Sequence, residues 1–183
     1  MHGKDLKNIR PPPKPKWSLP RPHHIKINCD ASWTSLDVGV AVVARNYKGQ
    51  VVGGTHFSTT APSPLYAEAL ALCSGVFLAH KLLPQHCLAG SFEFESDSLQ
   101  LVHLIKNSLP SSDWTVVPLI EHIRDRTVAL PSYSWSWSSR KANQVADYLA
   151  CLARRRMCPA DWVSHPPSFL SMLLCKDAVS DSP

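Results

Sequence analysis

The stretch that decides the fold is IKINCDASW, residues 25–33. Its residues alternate between apolar and polar, which is the pattern of a strand with one buried face. Ile25, Ile27 and Cys29 would point to one face of that strand, and Asp30 to the other. A buried carboxylate without a partner is costly, so Asp30 either caps a turn or holds a cation. Considered alone, Asp30 fits the turn better, because aspartate is common where a strand ends in a turn.

The following stretches extend this strand into a sheet. VGVAVVA, residues 38–44, is a continuous apolar run, which is typical of a strand that is covered on both faces. Asn46 to Gly49 predicts a hairpin turn, because glycine can adopt the positive φ that such turns need, and a third strand follows from Val51 to Phe57. Two strands joined by so short a loop must be antiparallel. The first strand is expected to extend this antiparallel meander.

Helices and strands then alternate along the chain. A helix is predicted over 64–80, because Ser63 and Pro64 suit its first turn and apolar residues follow at helical spacing. The later predicted elements are a strand over 91–97, helices over 99–107 and up to about 128, a strand over 133–137 and a helix over 140–156. Strands that return through helices are parallel by the crossover rule. This order predicts an α/β fold with a mixed sheet flanked by helices.

The chain is long enough for one domain with tails. It has 183 residues, of which 44% are hydrophobic and 18% are charged. Residues 1–22 are rich in proline and basic residues, which predicts an extended linker. We predict the folded domain over 23–156 and a C-terminal extension over 157–183, whose apolar segment from Phe169 to Leu174 docks back on the domain. The net charge of +5 favours a polyanionic partner such as nucleic acid.

The cysteines and the hydropathy of the chain point to a location inside the cell. None of the six cysteines forms a Cys-x-x-Cys pair or a zinc-type cluster with histidine, and a reducing compartment is expected. No stretch looks long and apolar enough to cross a membrane, and the polar N-terminus does not resemble a secretory signal. We therefore expect an intracellular protein, in the nucleus or the cytoplasm, without a membrane partner.

Four acidic residues can share one pocket at an edge of the sheet if the two strands that carry Asp30 and Asp97 are neighbours. Asp30 and Asp97 each end a strand. Glu68 lies on the shoulder of its helix that faces the sheet, and Asp147 lies early in the last helix. Ligands collect at the carboxyl ends of strands in such sheets, and clustered acids repel each other unless a cation neutralises them. Ligand sets made only of oxygen suit Mg²⁺ or Mn²⁺, and two such ions can drive phosphodiester cleavage.

These acids lie in four short motifs that resemble those of a known family. The motifs are Asp30-Ala31-Ser32, Tyr66-Ala67-Glu68-Ala69-Leu70, Glu95-Ser96-Asp97-Ser98 and Asn143-Gln144-Val145-Ala146-Asp147. In order and approximate spacing they are similar to the four acidic motifs of type 1 ribonuclease H. The closer resemblance, over about residues 17–178, is to the reverse-transcriptase-associated ribonuclease H-like domains of plant genomes, which are often pieces of non-LTR retroelements. Three further strings support this likeness, from Arg45 to Gly49, from Arg140 to Asp147 and from Pro166 to Ala178.

The resemblance of these motifs implies a ribonuclease H-like fold, with a five-stranded sheet in the order 3-2-1-4-5. It implies metal-dependent endonucleolytic cleavage of the RNA strand in RNA–DNA hybrids, with two Mg²⁺ or Mn²⁺ ions as cofactors. By motif position, Asp30 would bridge both ions and Asp147 would hold the second one. Glu68 and Asp97 would complete one ion site. Glu68 would also lie near the RNA 2′-hydroxyl, the group that distinguishes RNA from DNA.

The expected partner is an RNA–DNA hybrid. We expect contacts with nucleic acid from Ser32, Arg140 and Asn143, which lie in the matched motifs. The arginine run 154–156 suits either a phosphate backbone or the dipole at a helix C-terminus, and the sequence does not separate these two. We expect a monomer, and the resemblance allows a place in a larger retroelement-type polyprotein.

Trp137 departs from the family pattern. Type 1 enzymes usually carry a histidine ten residues before the last motif aspartate, and here Trp137 stands ten residues before Asp147. Since that histidine assists proton transfer or product release, its loss should slow turnover and leave the metal site intact. His122 and His165 would be substitutes only if the fold brings them close. Trp135 and Trp137 alternate with serines along a strand, which favours packing over stacking on bases.

Two other functions compete with the nuclease. One is a catalytically weak or inactive nucleic-acid-binding module on the same fold, which is favoured by Trp137 and by the lack of a hybrid-binding module or a basic handle loop. The intact set of four acids argues against it. The other is a proofreading-type 3′–5′ exonuclease, which would need an acid two residues after Asp30. That position is Ser32, so we discount this function.

Overall fold

One five-stranded sheet organises the chain. The structure, a computed structural model, describes residues 16–35, 37–85, 91–107 and 111–179. Its strands are β1 (His24–Thr34), β2 (Asp37–Asn46), β3 (Val51–Thr60), β4 (Ser91–Ser96) and β5 (Tyr133–Trp137), and its helices are α1 (Pro64–Leu82), α2 (Leu99–Asn107), α3 (Val117–Thr127), α4 (Gln144–Arg154) and α5 (Ser168–Val179). The strand order is β3-β2-β1-β4-β5. The first three strands are antiparallel, while β4 is parallel to β1 and β5 to β4. This arrangement confirms the predicted fold class and strand order.

β1 is buried on both faces, which differs from the predicted half-buried strand. All of residues 25–31 are buried. Cys29 faces a core cluster formed with α1, α2 and α3, whereas Ala41 of β2 belongs to a second cluster formed with α4 and α5. Asp30 pairs with Ala41, and residues directly opposite each other share a face of the sheet. The polar face of β1 therefore lies under the helices on the α4 side, and not in solvent.

Two glycines let helices approach the sheet closely. A Cβ at Gly75 of α1 would lie 2.5 Å from the Cys29 sulfur of β1, and a Cβ at Gly39 of β2 would lie 2.1 Å from the Ala150 carbonyl oxygen of α4. A glycine in such a position marks a close approach of another chain segment to the backbone. These two contacts set how closely α1 and α4 approach the sheet. The two helices carry Glu68 and Asp147, two of the predicted acids.

The last predicted domain helix begins later than expected. α4 starts at Gln144 rather than Arg140, and Asn143 is its N-cap residue. Residues 140–142 form turns, in which the backbone N–H groups of Ala142 and Asn143 bond to the Ser139 carbonyl. Because the Ser139 carbonyl accepts both of these N–H groups, the segment before Gln144 closes as turns. Asp147 consequently lies in the first turn of α4.

The predicted N-terminal linker contains a core residue. Residues 1–15 of that linker lie outside the described residues, but Trp17 is only 2% exposed, so the linker prediction is wrong at this position. Its Nε1 donates to Asn28 Oδ1 at 2.9 Å, and the Arg45 guanidinium lies 3.6 Å from its ring centre. The buried Arg45 also pairs with Asp177 of α5 at 2.7 Å. We call Trp17, Asn28, Arg45 and Asp177 the clasp.

The apolar helices pack within the domain. Leu170 and Leu173 of α5 are buried in the cluster that includes Val145 and Leu149 of α4, so the C-terminal apolar segment docks on α4. α1 is long and apolar enough, by length and composition, to cross a membrane, with a mean hydropathy of 1.3, which corrects the expectation from the sequence. Of this apolar stretch of α1, 50% is buried inside the structure, as in the core helix of a folded domain.

Candidate metal and active site

Two of the predicted acids lie where neighbouring strands separate. β1 pairs in parallel with β4 as far as Cys29. Beyond that point β1 continues alongside β2 to Thr34, while Asp97 follows β4 directly. Asp30 therefore lies inside a strand, and not at a strand end as predicted. The gap that opens between β1 and β4 gives both carboxylates a common space.

Glu68 joins these two carboxylates from α1. Ser63 caps that helix, its Oγ accepting a hydrogen bond from the Tyr66 N–H at 3.2 Å. One ligand oxygen from each of Asp30, Glu68 and Asp97 lies within 4.8 Å of the other two. We call these three residues the acidic triad. Oε2 of Glu68 is buried and has no hydrogen-bond partner among the described residues. An all-oxygen donor set with one unpaired buried oxygen fits a hard divalent cation.

Asp147 lies beside the acidic triad and not within it. It is half-buried in the first turn of α4, and it is not one of the three residues whose oxygens share the 4.8 Å cluster. Its charge nevertheless raises the pKa of both Asp30 and Glu68. Asp147 is therefore close enough to the triad, on the side where α4 packs, for its charge to act on the triad carboxylates.

The shared space raises the pKa of these acids. Burial is the main reason that the pKa of Asp30 lies well above its usual range, and the charges of the other three acids raise it further. Burial and then Asp97 raise the pKa of Glu68 to about 8. Burial also raises the pKa of Asp147, and Arg140 opposes the rise at all three residues. Without a further cation, the cluster therefore retains protons at neutral pH.

Two side chains hold Asp97 at the mouth of the site. Trp137 Nε1 donates to the Asp97 backbone carbonyl at 3.0 Å, and Arg140 Nε donates to its Oδ2 at 3.2 Å. Trp137 is 50% exposed. Trp135 instead packs on Phe94, with ring centres 4.6 Å apart. The packing interpretation thus holds for Trp135, while Trp137 has a contact with the site that the sequence did not predict.

Asn143 and Ser32 have protein partners in this structure. Asn143 is 1% exposed, and its Nδ2 donates to the Cys29 carbonyl at 3.0 Å and to Asp30 Oδ1 at 3.4 Å. Ser32 Oγ accepts a hydrogen bond from Arg154 Nε at 3.0 Å. Asn143 therefore orients Asp30, a positioning contact that sequence reasoning missed. Arg154, the first residue of the arginine run, is held against β1.

The histidines considered as substitutes have other surroundings. His122 lies on α3 and lines a cavity of about 670 Å³ together with Phe77 and Arg126. His165 follows α4 and pairs with Asp161 at 3.1 Å. Within the described ranges, no histidine joins the group of acids that could hold a metal ion. Neither His122 nor His165 therefore takes the place of the family histidine beside the acidic triad.

A family model of reverse transcriptase-like proteins matches residues 28–153. The chain belongs to the reverse transcriptase-like family. The matched region is more than half of the 183 residues, and it contains all four predicted acids. A comparison with curated protein sequences gives no significant match.

Solved structures similar to this reverse transcriptase-like chain share its fold. RNase H1 from the halophilic archaeon Halobacterium salinarum is 17% identical with a TM-score of 0.66, and the match covers 73% of this chain and 98% of that one. LC11-RNase H1 in complex with RNA/DNA hybrid is 18% identical with a TM-score of 0.65, covering 72% and 97%. The foamy viral protease-reverse transcriptase in complex with RNA/DNA hybrid is 15% identical with a TM-score of 0.58, covering 83% and 23%. The chain therefore has the ribonuclease H fold.

Proposed function

We propose that the chain is a metal-dependent endonuclease that hydrolyses the RNA strand of RNA–DNA hybrids. The observation that carries the proposal is the acidic triad, whose oxygens lie within 4.8 Å of one another in the gap between β1 and β4. Buried carboxylates with strongly raised pKa values are typical of functional sites. The similarity to a ribonuclease H1 that was solved with an RNA/DNA hybrid supports the same substrate.

The donor set fits Mg²⁺ or Mn²⁺, and we infer two ions. Asp30, Glu68 and Asp97 would hold the first ion, and Asp147, which lies beside them, would hold the second together with Asp30. When bound, such ions activate a water and stabilise the leaving oxygen of a phosphodiester. Glu68 would also lie near the RNA 2′-hydroxyl, which gives the site a means to select RNA.

Residues around the acids orient them for this reaction. Asn143 donates to a carboxylate oxygen of Asp30 and to the backbone of the same strand. Trp137 fixes the backbone of Asp97 from the end of β5. Arg140 is 75% exposed at the mouth of the site, where its guanidinium can bind a phosphate oxygen of the substrate. These residues set the direction of the carboxylates before substrate arrives.

The proposed partner is an RNA–DNA hybrid, with Ser32, Arg140 and Asn143 as proposed contacts. The foamy viral match covers only 23% of that longer protein, which supports a proposal that this fold works as one domain of a retroelement-type polyprotein. We further propose a monomeric state and an intracellular location, in the nucleus or the cytoplasm. The proposed domain limits are 23–156, and the burial of Trp17 adds a short N-terminal segment to that domain.

A catalytically weak or inactive nucleic-acid-binding module is the second candidate. Trp137 stands where type 1 enzymes carry a histidine, and its N–H is engaged with Asp97. An indole N–H is a donor only, so Trp137 cannot take up a proton as that histidine does. Its half-exposed ring is suited instead to stacking on a base.

Cleavage of an end-labelled RNA–DNA hybrid in Mg²⁺ or Mn²⁺ separates these functions. We expect cuts in the RNA strand with 5′-phosphate products, and loss of cleavage in Asp30→Asn and Asp97→Asn. Asp125→Asn, which changes an exposed acid of α3, is the matched control and should cleave as the wild type does. Hybrid binding without cleavage, in a folded protein, would favour the binding module.

A further inference from the structure

Arg140 brings a positive charge into the acidic site. It lies in the turn between β5 and α4, and its Nε donates to Asp97 Oδ2 at 3.2 Å. The same charge acts on the carboxyls of Asp30, Glu68 and Asp147. The site therefore contains its own counter-cation, supplied by the polar turn that precedes α4.

Arg140 and Asp97, which form this ion pair, differ in their exposure to solvent. The Arg140 side chain is 75% exposed and the Asp97 side chain only 9%. The guanidinium can leave the pair for solvent at little cost, because exposed ion pairs are weak, whereas the carboxylate stays in place. A cation that takes Asp97 as a ligand competes with Arg140 for the negative charge of the same carboxylate. In the same cluster, Glu68 Oε2 has no partner among the described residues. Within those residues, Arg140 is the cationic side chain that donates a hydrogen bond to a carboxylate of the triad.

We propose that Arg140 is a built-in competitor for the divalent cation, which pairs with Asp97 in the metal-free site and is displaced from it when the ion binds. This inference rests on the proposed metal-dependent function and adds a regulatory step to the same site. The displaced guanidinium stays at the mouth, where it is available to a phosphate of the nucleic acid. Metal binding and the release of Arg140 are then one event.

Lys141 provides a matched control for this proposal. It is the next residue in the same turn, it is also exposed, and it carries the same charge. The described ion pairs include none between Lys141 and the acidic triad. Removal of either side chain lowers the net charge by one, but only removal of Arg140 frees the Asp97 carboxylate. The comparison therefore separates direct competition from long-range repulsion.

Calorimetric titration with Mn²⁺, without nucleic acid, is the test. We expect Arg140→Ala to bind Mn²⁺ about fivefold more tightly than Lys141→Ala does. Arg140→Lys should lie between Arg140→Ala and the wild type, because a flexible ammonium replaces the planar guanidinium. Equal affinities of Arg140→Ala and Lys141→Ala would overturn the proposal, and so would weaker binding by Arg140→Ala.

Thermal unfolding without metal gives a second readout. Arg140→Ala should unfold at a lower temperature than Lys141→Ala, since Asp97 loses its counter-cation, and saturating Mn²⁺ should remove this difference. If the folded wild type binds no Mn²⁺, both the metal-dependent function and this inference are overturned. If the wild type binds Mn²⁺ and Arg140→Ala gains nothing over Lys141→Ala, only this inference fails.

Discussion

The indole Nε1 of Trp137 donates a hydrogen bond to the backbone carbonyl of Asp97 across 3.0 Å. The bond joins the end of β5 to the first residue after β4. It therefore holds the backbone that carries one carboxylate of the acidic triad. The residue that replaces the histidine of type 1 enzymes is thus part of the framework of the site.

Trp137→Phe should weaken Mn²⁺ binding about threefold to tenfold. The substitution replaces the indole with a smaller aromatic ring and removes the donor, and a hydrogen bond of this kind contributes about 1 kcal/mol. Calorimetric titration measures the affinity. Tyr133→Phe, which also removes a polar hydrogen from an exposed aromatic residue of β5, should leave it unchanged. An unaltered affinity in Trp137→Phe would show that the bond does not position Asp97.

Trp137→His should raise the rate of hybrid cleavage. Imidazole can accept and return a proton near neutral pH, which indole cannot do. We expect kcat to rise roughly tenfold or more with KM little changed, as measured under multiple-turnover conditions. Tyr133→His places the same group four residues away, at the other end of β5, and should have no effect. A fall in kcat would mean that the lost contact with Asp97 outweighs the gained proton acceptor.

The metal-free protein should lose stability as pH rises from about 4.5 to about 8. Burial raises the pKa of Glu68 from 4.5 to about 8 and also raises that of Asp30, so the folded state binds more protons than the unfolded state in this window. The free energy of unfolding then falls with rising pH, by roughly 1–3 kcal/mol. Urea unfolding in a chelator measures this slope. Glu68→Gln or saturating Mg²⁺ should flatten it, and a rise with pH in the wild type would contradict the assignment.

Trp17→Ala should lower the free energy of unfolding by about 3 kcal/mol. The indole is 2% exposed, and its removal leaves a cavity beside the buried Arg45 and takes a partner from Asn28. Urea unfolding measures the change. Trp114→Ala provides the control, since Trp114 is 80% exposed and its loss should cost less than about 0.5 kcal/mol. Equal effects of the two substitutions would show that the N-terminal segment is not part of the core.

Gly39→Ala should both destabilise the fold and weaken metal binding. The new Cβ would lie 2.1 Å from the Ala150 oxygen and 2.2 Å from the Arg154 nitrogen, and because both are backbone atoms, α4 must shift with its Asp147. We expect a loss of about 3 kcal/mol or more, measured by urea unfolding beside Mn²⁺ titration. A Cβ added at Gly53 would instead lie 3.1 Å from its nearest neighbour, a side-chain carbon of Leu82. Gly53→Ala should therefore cost less than about 1 kcal/mol, and a similar cost at both glycines would argue against the close approach of α4.

The convergence of the acids could be predicted because each depends on a local pattern. Alternation along 25–33 places Asp30 on one face of a strand, and the apolar stripe of α1 places Glu68 on the side towards the sheet. The crossover rule makes the strand before Asp97 parallel, and the family resemblance, which implies the order 3-2-1-4-5, places that strand beside β1. The structure confirms this arrangement, and extends it by showing that β1 continues past Asp30 on its β2 side.

The contacts around the acids could not be predicted, because they join distant parts of the chain. Trp137 and Arg140 lie 40 and 43 residues from Asp97, and their bonds depend on the register of β4 and β5, which no local pattern records. The burial of Trp17 could not be predicted for another reason. Its surroundings are rich in proline, and such a composition predicts an extended chain without saying whether that chain lies along a sheet.

The clasp has a consequence for how this fold can sit in a longer protein. Arg45 stacks on Trp17 and pairs with Asp177, so the first and last parts of the described fold meet at a single guanidinium. The polypeptide enters and leaves the domain at neighbouring points, which is the geometry that tolerates insertion into another protein. Modules joined at these two points would therefore attach to the same region of the domain.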